Sequence, residues 1–110
     1  MVKEAEKKNQ DIPKLPPIDK IIHEPARLMI IANLYVVKEV DFIFLKNQTG
    51  MTWGNLSSHL SKLEDAGYVN VKKELKGKKT NTRINLTDEG RKAFREYRQK
   101  MDSFLKGIPK

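Results

Sequence analysis

The stretch Thr52-Trp53-Gly54-Asn55-Leu56-Ser57-Ser58-His59-Leu60-Ser61-Lys62-Leu63-Glu64-Asp65-Ala66-Gly67 carries the pattern that decides the fold. Trp53, Leu56, Leu60 and Leu63 recur at spacings of three, four and three residues, the period of one helix face. Thr52 suits the N-cap, and Gly67 suits the position just past a helix end at Ala66. At about 100° per residue, Leu56, Leu60 and Leu63 point inward. Gly54, Asn55, Ser58, Ser61 and Lys62 then point outward, with Ser57 and His59 on the flanks. An ordinary solvated face carries more Glu and Lys. Small hydrogen-bonding groups instead permit close approach to base edges, Asn suiting adenine and Ser tolerating several bases.

Upstream, Asp41 is a reasonable N-cap for a helix running to Thr49, with Phe42, Leu45 and either Ile43 or Phe44 inward. Gly50 supplies the chain reversal between this helix and the next, and Lys38–Val40 reads as a connector. An earlier helix starts at Pro25, a residue favoured at the first helical position, and runs to about Val37. It is apolar on nearly all sides, as expected for a helix lying in a core or between core and partner. His23 reads as a cap or packing residue. Residues 1–17, with Pro13, Pro16 and Pro17, read as a flexible or extended arm, and 18–110 as the folded domain.

Downstream of Gly67 the period changes to two. Val69 and Val71 alternate with Asn70 and Lys72, and Ile84 and Leu86 with Arg83 and Asn85, so two short strands flank a loop around Leu75–Asn81. Thr87 caps a final helix, about 88–106, with Asp88 and Glu89 at its positive end. The expected order is helix, helix, helix, strand, strand, helix: mainly α with a small β-hairpin.

The 110 residues carry a net charge of +8 and, by position, all of the excess lies in 68–110. Lys72, Lys73, Lys76, Lys78, Lys79 and Arg83 oppose Glu74 alone, a cluster suited to a polyanion or, at its blandest, a solvated hairpin tip. The chain has no cysteine and two separated histidines, which leaves no thiol chemistry and little scope for metal. No cofactor is expected. The glycines are scattered, so no phosphate-cradling loop is present, and Ser57, Ser58 and His59 are helix neighbours that point apart. An enzyme is not expected. Neither a membrane span nor a signal segment is evident, and a cytoplasmic location is expected.

Two helices joined by a tight glycine turn and followed by a basic hairpin make a winged helix-turn-helix. Leu56-Ser57-Ser58-His59-Leu60-Ser61-Lys62-Leu63-Glu64-Asp65-Ala66-Gly67-Tyr68-Val69 resembles the second helix and first wing strand of MarR- and ArsR-type transcriptional regulators. Ile84-Asn85-Leu86-Thr87-Asp88-Glu89-Gly90-Arg91 is similar to their strand-to-helix junction. The resemblance spans roughly Pro25 to Arg95. Ser58 stands where the family often has a basic residue, and the cysteine motif of ArsR-type metal sensors is absent.

The resemblance implies a homodimer on double-stranded DNA, with the second helix in the major groove and the wing on the backbone. Base-reading candidates are Gly54, Asn55, Ser57, Ser58, His59 and Lys62; His59 could equally pack against the first helix. Backbone candidates are Thr52, Lys72, Lys76, Lys78, Lys79 and Arg83. The apolar stripe of the last helix exceeds what a small core needs, so Leu28, Ile31, Tyr35, Phe94, Tyr97, Met101, Phe104 and Leu105 are expected at a dimer interface. The alternative is a winged helix that docks protein or RNA within a larger complex. The operator, the sense of regulation and any small-molecule effector are not readable from these residues.

Overall fold

The computed structural model describes residues 13–110. Helix α1 (Pro25–Val36) is followed by strand β1 (Glu39–Asp41), helices α2 (Phe42–Thr49) and α3 (Trp53–Asp65), strands β2 (Val69–Lys76) and β3 (Lys79–Leu86), and helix α4 (Asp88–Lys106). The three strands form one antiparallel sheet in the order β1-β3-β2. Four helices and this sheet make a winged helix.

The expected helices form where their caps place them. Asp41 accepts from Phe44 N–H at 2.7 Å, Thr52 from Asn55 N–H at 3.2 Å and Thr87 from Gly90 N–H at 2.9 Å. The cap of α1 is Glu24, whose carboxylate accepts from Ala26 and Arg27 N–H, rather than His23. His23 instead shares a 2.8 Å hydrogen bond with the Tyr97 hydroxyl. Helix α3 ends in a Schellman turn: Gly67 has φ 81°, and Tyr68 N–H donates back to Leu63 O.

Leu56, Leu60 and Leu63 of α3 are buried with Leu45, Ile30, Ile31 and Leu34 of the preceding helices, and the sheet adds Val40, Val69, Ile84 and Leu86. Each such side chain contributes about 1.5–3 kcal/mol on leaving water. Ile84 is central: on the middle strand it lies opposite both Val40 and Val71.

Three details differ from the sequence expectation. Glu39–Asp41 is a strand, not a connector; it pairs with Arg83–Asn85, and only Val40 points into the core. Neither Ile43 nor Phe44 turns inward, at 59% and 44% exposed, because α2 buries only Leu45 fully. The hairpin strands run further than expected, to a two-residue turn at Gly77–Lys78. Gly77 has φ 64° and the next residue, Lys78, has no positive φ, the signature of a type II′ turn. Within the arm, Pro13 and Pro16 lie against the last turns of α4, and Lys100 Nζ donates to Pro17 O at 2.9 Å. Residues 1–12 of the expected arm lie outside the described residues.

The junction of α3, the hairpin and α4 is fixed by backbone contacts. Thr87 N–H donates to Tyr68 O at 2.9 Å, and the Thr87 hydroxyl to Gly67 O at 2.6 Å. The Tyr68 hydroxyl donates to Asp19; burial, reinforced by that carboxylate, pushes the phenol up to about 12. Gly90 packs directly on the Tyr68 carbonyl, where a methyl group would overlap the oxygen and come within 2.8 Å of Leu86 Cδ1. Backbone on both sides cannot yield as a flexible side chain can. Gly90→Ala should therefore cost about 3 kcal/mol, the upper end of overpacking penalties, measured by urea unfolding. A variant as stable as the parent chain would show that the junction has room to relax.

Candidate nucleic-acid interface

Burial of the three leucines fixes the rotation of α3 and leaves Gly54, Asn55, Ser57, Ser58, Ser61 and Lys62 exposed on its outer side. A Cβ on Gly54 would meet nothing within 4 Å. No contact in the protomer requires that glycine, although glycine is the poorest helix former after proline. Thr52 is exposed, and its hydroxyl oxygen is engaged as the cap.

His59 does not join this outer face. It is half-buried, with Nδ1 3.2 Å from an Arg27 guanidinium nitrogen and 3.4 Å from Glu24 Oε2. The first-helix packing alternative is the one realised, and His59 leaves the base-reading set. Arg27 is the buried cation of the domain: its Nε–H donates to Ile21 O at 2.6 Å and its guanidinium lies 3.6 Å from Glu24. Sequence patterning passed over Arg27 and Glu24 because their partner on α3, His59, is 32 residues from Arg27 and further still from Glu24.

The wing presents its charge unevenly. Lys72, Lys76, Lys78 and Lys79 are exposed. Lys76 and Lys79 are paired across the strands beside the Gly77–Lys78 turn. Arg83 differs: it sits at the sheet root beside β1, and its Nε donates to Glu39 at 3.1 Å. That ion pair removes it from the free cations of the tip. Between α3 and the hairpin lies an open groove of about 410 Å³. Its lining includes Phe42, Trp53, Ser57, Val71, Lys73 and Thr82. Phe42 and Trp53 stack with ring centroids 5.1 Å apart and planes 9° from parallel.

The expected dimer residues divide. Ile31 is 0% exposed and Tyr97 is buried, so both belong to the protomer's own core. The all-round apolarity of α1 hid which of its sides is innermost. Phe104 lies beside Pro13 and Pro16 of the arm. Leu28, Phe94, Met101 and Leu105 line a shallow groove of about 280 Å³ between α1 and α4, and Leu105 is 57% exposed. Tyr35 packs on Phe94 at a centroid distance of 5.0 Å and carries the Arg91 guanidinium over its ring.

Among the described residues no cluster of three His, Cys, Asp or Glu side chains could hold a metal ion. Nor is any helix long and apolar enough to cross a membrane.

The family described as the winged helix DNA-binding domain matches residues 26–105, from α1 through nearly all of α4. The chain belongs to that family. It is a family of DNA-binding domains and not of enzymes. This winged-helix chain is 40% identical over 78 residues to an uncharacterised protein of Methanocaldococcus jannaschii, covering 71% of this chain and 85% of that one. A transcriptional regulator homologue from Pyrococcus horikoshii shares the fold at 24% identity and TM-score 0.77, over 93% of this chain and 96% of that one. A MarR-family protein from Porphyromonas gingivalis does so at 18% identity and TM-score 0.64, over 81% and 86%. The stretches resembling MarR- and ArsR-type regulators both lie within the matched residues.

The acid sensitivity of the domain follows from the Glu24 cluster. Burial alone would raise the Glu24 carboxyl, but the N–H groups of Ala26 and Arg27, with the charges of His59 and Arg27, hold it below its ordinary value. A carboxyl depressed in the folded chain contributes stability that is full above about pH 4.5 and is lost as pH falls through the folded value. The urea midpoint should therefore drop on acidification below pH 4.5, and Glu24→Gln should flatten that part of the profile. An unchanged acid limb in the variant would mean that other carboxyls dominate.

Proposed function

We propose that this winged-helix protein is a homodimeric, sequence-specific regulator of transcription that binds double-stranded DNA. Helix α3 reads bases in the major groove through Gly54, Asn55, Ser57, Ser58 and Lys62. Lys72, Lys76, Lys78 and Lys79 hold the sugar–phosphate backbone, with Thr52 beside them at the start of α3. The observation that carries this reading is the contrast between two neighbouring surfaces. The outer side of α3 is small and hydrogen-bonding, with an unsupported glycine, while the hairpin tip is almost wholly cationic. The first surface suits base edges and the second suits phosphates.

The two surfaces should fail differently when altered. With about four phosphate contacts per protomer, the log–log salt slope of a dimer starts near roughly −7. Lys78→Ala with Lys79→Ala should make it shallower by about 3.6 and weaken specific and random duplexes alike. Asn55→Ala and Ser58→Ala should instead each cost about 1–3 kcal/mol on a sequence selected from random duplex DNA, leaving random-DNA binding intact. Titrations at several salt concentrations distinguish the classes. Helix variants that bind the selected sequence like the parent chain would move α3 out of the reading role.

The homodimer rests on the groove of Leu28, Phe94, Met101 and Leu105, which a second copy related by a two-fold axis would cover. The two α3 helices should then sit about 34 Å apart, one turn of B-DNA. Analytical ultracentrifugation at micromolar concentration should give the dimer mass, and Leu105→Glu should give the monomer. A parent chain that sediments as a monomer with and without DNA would refute this assembly.

A further inference from the structure

The groove between α3 and the hairpin has a feature that base reading does not use. Trp53 is 58% exposed although it is a large aromatic residue. Phe42 stacks in parallel against it, and Lys46 Nζ lies 5.4 Å from its ring centroid. The opposite wall carries Val71, Thr82 and Lys73 from the hairpin, and Ser57 and Ser61 stand between the walls. Glu64 is the one acidic side chain in the lining. An apolar surface flanked by hydroxyls and cations matches an apolar sugar ring with a phosphate on either side.

We propose that this groove seats one strand of the DNA sugar–phosphate backbone, with Trp53 packed against a deoxyribose and Ser61, Thr82 and Lys73 donating to the adjacent phosphates. The proposal rests on the DNA-binding reading above and adds Trp53, Phe42 and Lys73 to it. Two features of the groove support this occupant. It takes in Ser57 and Ser61 of the outer face of α3 on one side and Lys73 of the hairpin on the other. Lys73 offsets Glu64 in its lining, and Lys46 beside the Trp53 ring adds a further positive charge at its edge. Contact with a sugar is independent of sequence, so Trp53 positions the domain and does not choose the base.

Trp53 is the single tryptophan of the chain, so its fluorescence reports this groove alone. Full-length protein is titrated with a mixed-sequence duplex of about 20 base pairs, following tryptophan emission and, separately, the anisotropy of a labelled duplex. Emission should change and saturate together with anisotropy. Trp53→Ala should weaken binding by roughly 5- to 10-fold on selected and random duplexes alike, comparable to losses on removing aromatic contacts to nucleic acid. The salt slope should stay constant, because no counterion-releasing contact is lost. Trp53→Phe should restore most of the affinity, and circular dichroism should show both variants folded. An anisotropy change without an emission change, together with parent-like binding by Trp53→Ala, would overturn the groove assignment while leaving the DNA-binding reading intact; a groove filled by a protein partner predicts that pattern. Absence of any anisotropy change on any duplex would overturn both.

Discussion

Gly90 and the carbonyl of Tyr68 pack backbone against backbone, and the relation of three elements depends on that contact. Tyr68 is the link from α3 to β2, and Gly90 lies in the first turn of α4. Thr87 joins them from β3, donating to Tyr68 from its backbone and to Gly67 from its hydroxyl while capping α4. The end of α3, the root of the hairpin and the start of the last helix therefore form one knot. Every one of its hydrogen bonds ends on a peptide group at one side at least, and the Thr87 hydroxyl is the single side chain that takes part.

The outer surface of α3 is a consequence of burial on its other side. Leu56, Leu60 and Leu63 admit only one rotation of α3 against Ile30, Ile31 and Leu34, and that rotation turns Asn55 and Ser58 to solvent. The sheet obeys the same logic. Val71 and Ile84 face the core, so Lys72 and Arg83, paired beside them, take the other face. There Arg83 meets Glu39 of β1, and the free positive charge is displaced outward to the turn. A three-residue strand thus decides which hairpin cations are available.

What could be read in the sequence was what recurs locally. The leucine spacing of α3, the threonine and aspartate caps, Gly67 and the alternation around Val69 and Ile84 are each contained within a few residues, and each stands in the fold where its pattern puts it. Strand β1 was not legible, because one buried valine between two acids shows no period. In α1, apolar residues cover nearly every side, so no pattern could tell that Ile31 is innermost while Met29 is exposed. The remaining misses are long-range pairings. His59 meets Glu24 and Arg27, and Glu39 meets Arg83 44 residues away; only the tertiary fold brings them together.

Among the described residues strand β2 is bonded to β3 alone, so its other side is an open sheet edge. Such an edge invites strand addition from other chains, and charge along it is a common protection. Lys72, Lys73 and Lys76 lie on this edge, and Leu75 among them is 78% exposed. The same lysines that are proposed to meet phosphate would then keep the unbound protein from pairing with itself. In the proposed complex, charge neutralised by DNA would not be missed, since the nucleic acid would cover the wing; charge lost by modification would leave an apolar edge bare. Solubility of the free protein and its attraction to a polyanion are in this hairpin a single property.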